Sequence, residues 1–156
     1  MTDVARSGPT MGRTDTLLCR VHECICALPL EHVVEVMRPL PVDRVTGAPA
    51  FVAGLSRIRG TAVPVVDLGR LVTGTDGRAS ARFVTVRSGA GVVALRVDSV
   101  VGVTSLSESA ELPPLFRDEE GPIAALGDRD RALLLVLRTA RLVPPEPAPV
   151  LAGGAA

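Results

Sequence analysis

The chain has 156 residues, an apolar content of 47% and no formal net charge, which suffices for one domain or two small subdomains with a buried core. All 17 of its lysine-plus-arginine residues are arginines, so mechanisms that need a lysine, such as P-loop phosphate binding or Schiff-base catalysis, are excluded. Balanced charge and an aromatic content of only 2% argue against a nucleic-acid groove or a basic membrane patch. We therefore expect protein partners or small ligands, and no nucleic acid.

The two ends of the chain differ in composition from the segment between them. Residues 1–15 lack the apolar stretch of a signal peptide and are predicted to form a flexible arm. Residues 144–156 are rich in proline, glycine and alanine and are predicted to be a disordered tail. The longest apolar run, residues 132–137, is far shorter than the roughly 20 residues of a membrane span. We expect a cytoplasmic protein without direct membrane contact.

The first strand pair is predicted from two short apolar runs, residues 17–21 and 24–28, which flank a two-residue turn. A hairpin there sets Cys19 opposite Cys26. Because side chains alternate between the faces of a strand, these two cysteines and Cys24 share one face.

A short helix is predicted for residues 30–37, which follow Pro29 and carry apolar residues at helical spacing. Pro39 and Pro41 would end it, because proline lacks the N–H that a helix needs.

A corner with two arginines follows. Residues 55–58 and 62–66 are predicted strands, and Gly60 permits a turn with positive φ between them. Arg57 and Arg59 lie at this turn among apolar residues. A guanidinium held there suits a carboxylate partner, because its planar fork can bond both oxygens.

The rest of the chain repeats the pattern of short strands. We predict a brief helical exit at 67–72, a linker at 73–80, strands at 82–87, 92–97, 100–104 and 132–137, and a long loop at 112–121. Many short strands with little helix favour a barrel or a sandwich. We predict an all-β architecture of two small barrels.

A metal or thiol site is the chemical alternative that the residues offer. Cys19, Cys24, Cys26 and His22 are ligand types that zinc prefers, yet their spacing matches no zinc module. Small polarisable residues in a core explain the hairpin cysteines more simply. Neither histidine lies in a catalytic motif, so we expect no enzymatic activity, no metal and no cofactor. The cysteine hairpin remains a remote alternative.

Three acidic residues beside valine-rich runs allow a structural or a functional interpretation. Asp67 and Asp98 each follow an aliphatic strand and are predicted to accept backbone N–H groups as caps. Glu35 is embedded among valines. A solvated face is its simple interpretation, and an ion pair with Arg57 or Arg59 is the functional one.

These segments together resemble the CheW-like domain, the coupling module of bacterial chemotaxis-type signalling, from about residue 17 to residue 143. The most specific parts are Val-Val-Glu-Val at 33–36, Pro-Ala-Phe-Val-Ala-Gly at 49–54, Arg-Ile-Arg-Gly-Thr-Ala-Val-Pro-Val-Val-Asp-Leu at 57–68 and Val-Asp-Ser-Val-Val-Gly-Val at 97–103. Their order and separations also fit the family.

The resemblance implies two small intertwined SH3-like five-stranded β-barrels with short connecting helices and a hydrophobic groove between them. The domain would span residues 16–143, with halves at about 16–78 and 79–143. It implies a non-catalytic adaptor that couples chemoreceptors, the methyl-accepting chemotaxis proteins, to a CheA-type histidine kinase in a two-component pathway. Its partners would be the kinase regulatory domain and the cytoplasmic tip of the receptor. Recruitment to membrane receptor arrays and ring assembly with kinase domains stay open.

The resemblance also implies roles for individual residues. Glu35 and Arg59 would form an orienting pair, with the kinase at the barrel ends and a receptor helix hairpin in the groove. The predicted partner-binding residues are Val33, Glu35, Gly54, Arg57, Arg59, Gly60, Val100 and Val103.

The chain departs from the family pattern at a few positions. Arg57 stands where asparagine is usual, Cys19 and Cys26 where aromatic core residues are common, and Arg138 where aspartate is expected. Arg57 adds charge to the corner, so the choice of partner stays open. An adaptor of the same fold in a motility, developmental or regulatory pathway is the alternative function.

Overall fold

The computed structural model describes residues 13–75, 81–89, 91–107, 123–129 and 132–138. The predicted loop at 112–121, the tail at 144–156, most of the N-terminal arm and most of the linker at 73–80 lie outside these residues. The first strand begins at Arg13, within the segment that was predicted as a flexible arm.

Short strands make up most of the described chain. In order, the elements are β1 (Arg13–Val21), β2 (Cys24–Pro29), a 3-10 turn (Leu30–His32), β3 (Val33–Met37), β4 (Val52–Ile58), β5 (Thr61–Asp67), α1 (Leu68–Thr73), β6 (Arg82–Ser88), β7 (Gly91–Val97), β8 (Ser99–Ser107), β9 (Ile123–Arg129) and β10 (Ala132–Leu137). Sheet one has the strand order β9-β10-β2-β1-β8, and sheet two has the order β3-β6-β7-β5-β4. The predicted all-β class with two five-stranded units is confirmed.

The topology links distant parts of the chain. Sheet one combines the first two strands with the last three, whereas sheet two is formed by the strands between them. Neighbours are antiparallel except for the parallel pairs β10–β2 and β5–β7. Long-range pairing of this kind places residues that are far apart in sequence beside one another.

The largest group of buried side chains, here called the central core, draws on both sheets. Cys19 and Cys26 enter it from sheet one, and Val84 and Leu95 enter it from sheet two. Sheet two buries a second group on its other face, here called the inner cluster. Its members are Ile58, Val63, Val65, Phe83 and Ala94, with Met37, Val42 and Ala53 packed against them.

The predicted first hairpin is confirmed in its register. Cys19 pairs with Cys26, and Val21 pairs with Cys24. Cys19, Val21 and Cys26 are fully buried on the shared face, and Cys24 is half-buried beside them. Small cysteines fill positions in a core that has few aromatic side chains.

The predicted helix over residues 30–37 is wrong. Only Leu30–His32 form a 3-10 turn, and Val33–Met37 form β3, which pairs with β6. Valines hold this segment in a strand, because a side chain branched at Cβ loses rotamer freedom in a helix and packs well on a pleated sheet. The helical spacing of the apolar residues was therefore misleading.

The remaining predictions of elements were mostly confirmed. The strands predicted at 55–58, 62–66, 82–87, 92–97, 100–104 and 132–137 correspond to β4, β5, β6, β7, β8 and β10. Strand β9 was not predicted, because Gly127 and Asp128 interrupt its apolar pattern. None of the helices in the described segments has the length and apolar character of a membrane span.

The capping role predicted for Asp67 is confirmed, and Asp98 accepts a backbone N–H from a distant turn. Asp67 precedes α1, and its Oδ1 accepts a hydrogen bond from the backbone N–H of Arg70 at 3.2 Å. Asp98 Oδ2 accepts one from the backbone N–H of His22 at 2.8 Å. The second bond connects the β7–β8 junction to the β1–β2 turn.

Candidate partner-binding site

The turn between β4 and β5 presents Arg59 at a corner of the molecule. Ile58 pairs with Thr61, so the turn consists of Arg59 and Gly60 alone. Both have positive φ, 52° for Arg59 and 82° for Gly60. Two-residue hairpins with positive φ at both positions match the twist of the flanking strands. The predicted positive-φ turn at Gly60 is therefore present, and Arg59 shares its left-handed conformation.

Glu35 binds this arginine through both of its carboxylate oxygens. Arg59 Nε donates to Glu35 Oε2 at 2.8 Å, and Arg59 Nη2 donates to Glu35 Oε1 at 2.7 Å. The side chain of Arg59 is 75% exposed and that of Glu35 is 27% exposed. The carboxylate thus fixes one side of the guanidinium, while the Nη1 amino group stays available to a partner.

Electrostatics at the pair favour the charged forms of both groups. The hydrogen bonds from Arg59, supported by its positive charge, hold the pKa of the Glu35 carboxyl below its ordinary value of 4.5. The same bonds raise the pKa of the Arg59 guanidinium. The ion pair therefore persists throughout the neutral pH range.

Thr85 positions the backbone of Glu35. The register of β3 against β6 shifts between Val33 and Glu35, which marks a β-bulge. Across this irregularity the Thr85 hydroxyl accepts from the N–H of Glu35 at 3.2 Å and donates to its carbonyl at 3.3 Å. Thr85 is buried and was missed from the sequence, because it lies 50 positions from Glu35.

The two edge strands of sheet two, β3 and β4, are connected through a set of contacts that we call the seam. Asp43, in the segment after β3, exchanges two backbone hydrogen bonds with Leu55 of β4, at 2.7 and 2.8 Å. Ser56 Oγ donates to the carbonyl of Pro41 at 2.8 Å. The Glu35–Arg59 pair joins the same two parts of the chain, so it belongs to the closure of sheet two.

Gly54, one of the predicted partner-binding residues, is buried in the seam. Its φ is 147°, and a Cβ atom added there would lie 2.0 Å from the carbonyl oxygen of Asp43. Any side chain at this position would push the Asp43 segment away from β4. Gly54 therefore allows close contact between β4 and the segment of this chain that contains Asp43.

Arg57 lies on the outer side of the same hairpin. It pairs with Ala62 and is exposed, as is Leu55 two positions earlier. Of the two arginines considered as partners for Glu35, Arg59 makes the ion pair. Arg57 therefore adds a second guanidinium to the outer surface of the corner.

A groove runs between the two sheets. Its lining includes Val36 and Arg82 from sheet two and Asp98, Ser99 and Val100 at the β7–β8 junction. The strands that border it, β3 and β8, are edge strands of their sheets. Their exposed apolar residues are Val34, Val36, Val101 and Val103.

The predicted valines occupy different positions around this groove. Val103 lies opposite Leu17 of the central core, on the same face of sheet one, and is exposed on the edge strand β8. Val100 lines the groove while packing against the central core. Val33 points inward and also packs against the central core. The sequence did not indicate Val36 as a site residue. Val36 is exposed on β3, which is an edge strand of sheet two.

The cysteine hairpin places two of its three thiols in the central core. Burial raises the pKa of the Cys19 thiol to about 12 and raises that of Cys26 further. Thiols that stay protonated are poor nucleophiles and poor metal ligands. The parts of the chain that the structure describes, which include all three cysteines and His22, contain no group of three or more side chains able to hold a metal ion.

Three comparisons show which known proteins the chain is similar to. The family model of the CheW-like domain matches residues 15–145. Protein FrzA of Myxococcus xanthus is 30% identical over 135 residues, which cover 78% of this chain and 84% of that protein. The crystal structure of the scaffolding protein TtCheW from Thermoanaerobacter tengcongensis superposes with a TM-score of 0.69 at 22% identity, covering 81% of this chain and 89% of the other. The chain belongs to the CheW-like domain family.

Proposed function

We propose that this protein is a non-catalytic signalling adaptor that couples chemoreceptors to a CheA-type histidine kinase. The observation that carries the proposal is the bidentate Glu35–Arg59 pair, which holds an exposed guanidinium in one orientation at the corner. Membership of the CheW-like family supports it. The adaptor would act in the cytoplasm and be recruited to receptor arrays.

The groove between the sheets would receive the helix hairpin at the tip of a receptor. Exposed valines on β3 and β8 offer an apolar surface, which suits the apolar face of a helix. Val100 and Val103 would contribute to this contact, with Val33 supporting the wall from inside. Affinity would come from the apolar surface, because burying it removes it from water.

The corner would bind the regulatory domain of the kinase. Arg57, Arg59 and Gly60 form its exposed tip, and Arg59 keeps donors free for a carboxylate of the partner. Gly54 and Glu35 would act by shaping the corner. Charged groups at such a surface contribute mainly to orientation and to the rate of association.

A pull-down with the kinase regulatory domain tests this assignment. Wild-type protein should capture the domain, Arg59→Asp should lose most of the capture, and Arg20→Asp, a change of an exposed arginine in sheet one, should retain it. Equal capture by all three proteins would refute a docking role for the corner. A parallel pull-down with the receptor tip separates a general folding defect from a local one.

An adaptor role in a pathway other than chemotaxis is the second candidate, and Arg57 is the observation that favours it. This exposed residue adds positive charge to the corner, so it would select a more acidic partner than asparagine would. Arg57→Asn should broaden binding toward chemotaxis kinases if the natural partner lies elsewhere. Unchanged selectivity would leave Arg57 without such a role.

A further inference from the structure

A second charged site lies on the inner side of sheet two. Asp67 at the end of β5 pairs with Arg96 of β7 in the parallel β5–β7 ladder. Val65 and Ala94 lie two positions earlier on the same strands and belong to the inner cluster. Because side chains alternate along a strand, Asp67 and Arg96 face the same inner side, where that cluster ends.

The hydrogen bonding of Arg96 is incomplete there. Its Nη2 is 3.8 Å from Asp67 Oδ2, which is too long for a hydrogen bond. Its Nε is buried and has no hydrogen-bond partner within the described segments. Folded proteins rarely leave a buried N–H of this kind without an acceptor, since it has lost its water. The Arg96 side chain as a whole is 33% exposed and lines a pocket, so an external acceptor can approach its guanidinium.

An open pocket lies beside this guanidinium. Asp67 and Arg96 line it together with residues of the segment between β3 and the start of β4. Arg44 brings a second, exposed guanidinium. The other lining residues are mostly small and apolar, among them Val45, Ala48, Pro49, Ala50 and Val52. Two arginines against one carboxylate give the pocket an excess of positive charge.

We propose that this pocket, the Arg44–Arg96 pocket, binds the carboxylate of a glutamate side chain presented by a partner protein. The carboxylate would accept hydrogen bonds from the Arg96 guanidinium and from Arg44, and charge-assisted bonds of this type are among the stronger ones. The apolar wall would pack against the two methylene groups of the glutamate. A bare phosphate ion would leave that wall unused. The site is formed by different residues from the Glu35–Arg59 corner and stands whichever partner occupies the corner.

NMR titration of the full chain with blocked amino acids tests the proposal. The probes are N-acetyl-glutamate N-methylamide, its neutral glutamine counterpart and inorganic phosphate, at constant pH and ionic strength. The glutamate probe should shift the Arg96 Nε–H resonance and the backbone amides of Arg44 and Ala50. Arg44→Gln and Arg96→Gln should each weaken this binding about tenfold, the loss expected for one charge-assisted pair.

Two controls keep the test decisive. Arg20→Gln changes an exposed arginine of sheet one and should leave the binding unchanged. Arg44 is exposed, so its variant tests the site even if Arg96→Gln fails to fold. No shift with the glutamate probe, equal shifts with the glutamine probe, or equal affinity in Arg44→Gln would overturn the proposal. Equal shifts with phosphate would show a general anion site and overturn the assignment to glutamate.

Discussion

Glu35 and Arg59 connect opposite edges of sheet two. Glu35 lies on the edge strand β3, and Arg59 lies at the turn that ends the other edge strand, β4. Their two hydrogen bonds add a side-chain contact to a seam that is otherwise formed by the Asp43–Leu55 and Ser56–Pro41 hydrogen bonds. The pair that orients the proposed docking arginine therefore also helps to close the sheet, so the proposed docking role and local stability depend on the same contact.

The contribution of the ion pair should depend on pH. The folded protein holds the pKa of Glu35 below 4.5, so the pair stabilises the fold above that pH, and this stabilisation is lost as the pH falls through the lowered pKa. Urea unfolding of wild type and Glu35→Gln should therefore differ at neutral pH and converge in acid.

NMR titration of the Glu35 carboxyl provides the direct check of this cause. Its pKa should lie below 4.5 in the wild type and rise in Arg59→Ala, because the hydrogen bonds from the guanidinium are gone. A carboxyl that titrates identically in both proteins would show that the pair does not form in solution.

Replacing Gly54 should open the seam. A Cβ atom at this position meets the Asp43 carbonyl, and the φ of 147° is strained for any side chain. Gly54→Ala should lower the free energy of unfolding by about 2 kcal/mol or more. Gly91→Ala is the matched control, since nothing lies within 4 Å of its added Cβ, and it should change stability by less than about 0.5 kcal/mol. Similar losses in both variants would argue against the seam contact.

The Thr85 hydroxyl should matter more than its methyl group. Thr85→Val leaves the N–H and carbonyl of Glu35 without this partner, which should cost about 1–3 kcal/mol of stability. Thr85→Ser keeps the hydroxyl and should retain most of the Glu35 geometry. Chemical denaturation, together with the Glu35 pKa, checks both variants. Equal stability of the Thr85→Val and Thr85→Ser variants would show that the Thr85 hydroxyl does not stabilise the Glu35 backbone.

The hairpin thiols should react only slowly in the folded protein. Cys19 and Cys26 are buried with strongly raised pKa values, and burial followed by the nearby Glu23 charge raises the pKa of Cys24. At about pH 8, near the ordinary thiol pKa, a thiol reagent should modify half-buried Cys24 first. The other two should require urea. Rapid modification of all three without denaturant would contradict the packed hairpin.

Local sequence patterns predicted most strands but not all of them. Alternating valines and a glycine at the turn were sufficient to predict the β4–β5 hairpin. The length of the first turn was sufficient to predict the pairing of Cys19 with Cys26. Strand β3 was misread as a helix, because Leu30, Val33 and Met37 happen to have helical spacing. Its pairing with β6, which depends on residues about 50 positions away, decided the outcome.

The site was predictable only in part for the same reason. The arginine corner is visible in the sequence, whereas the choice of Arg59 over Arg57 as the partner of Glu35 came from the family resemblance. The contact of Gly54 with Asp43 and the bridging by Thr85 are long-range relationships in the folded sheet. No local sequence pattern predicts these two contacts, because each residue occupies an ordinary strand position in the sequence.

Calorimetric titration of the kinase regulatory domain into wild type, Arg59→Lys and Arg59→Asp tests the central claim most directly. Lysine keeps the charge but cannot bond both oxygens of Glu35 in the same planar geometry. The affinity of Arg59→Lys for the kinase domain should therefore lie between the affinities of wild type and Arg59→Asp. Reversal of the charge should weaken binding at least about tenfold, or roughly 1.4 kcal/mol. Equal affinities for the three proteins would contradict the account of Arg59 as an oriented docking residue.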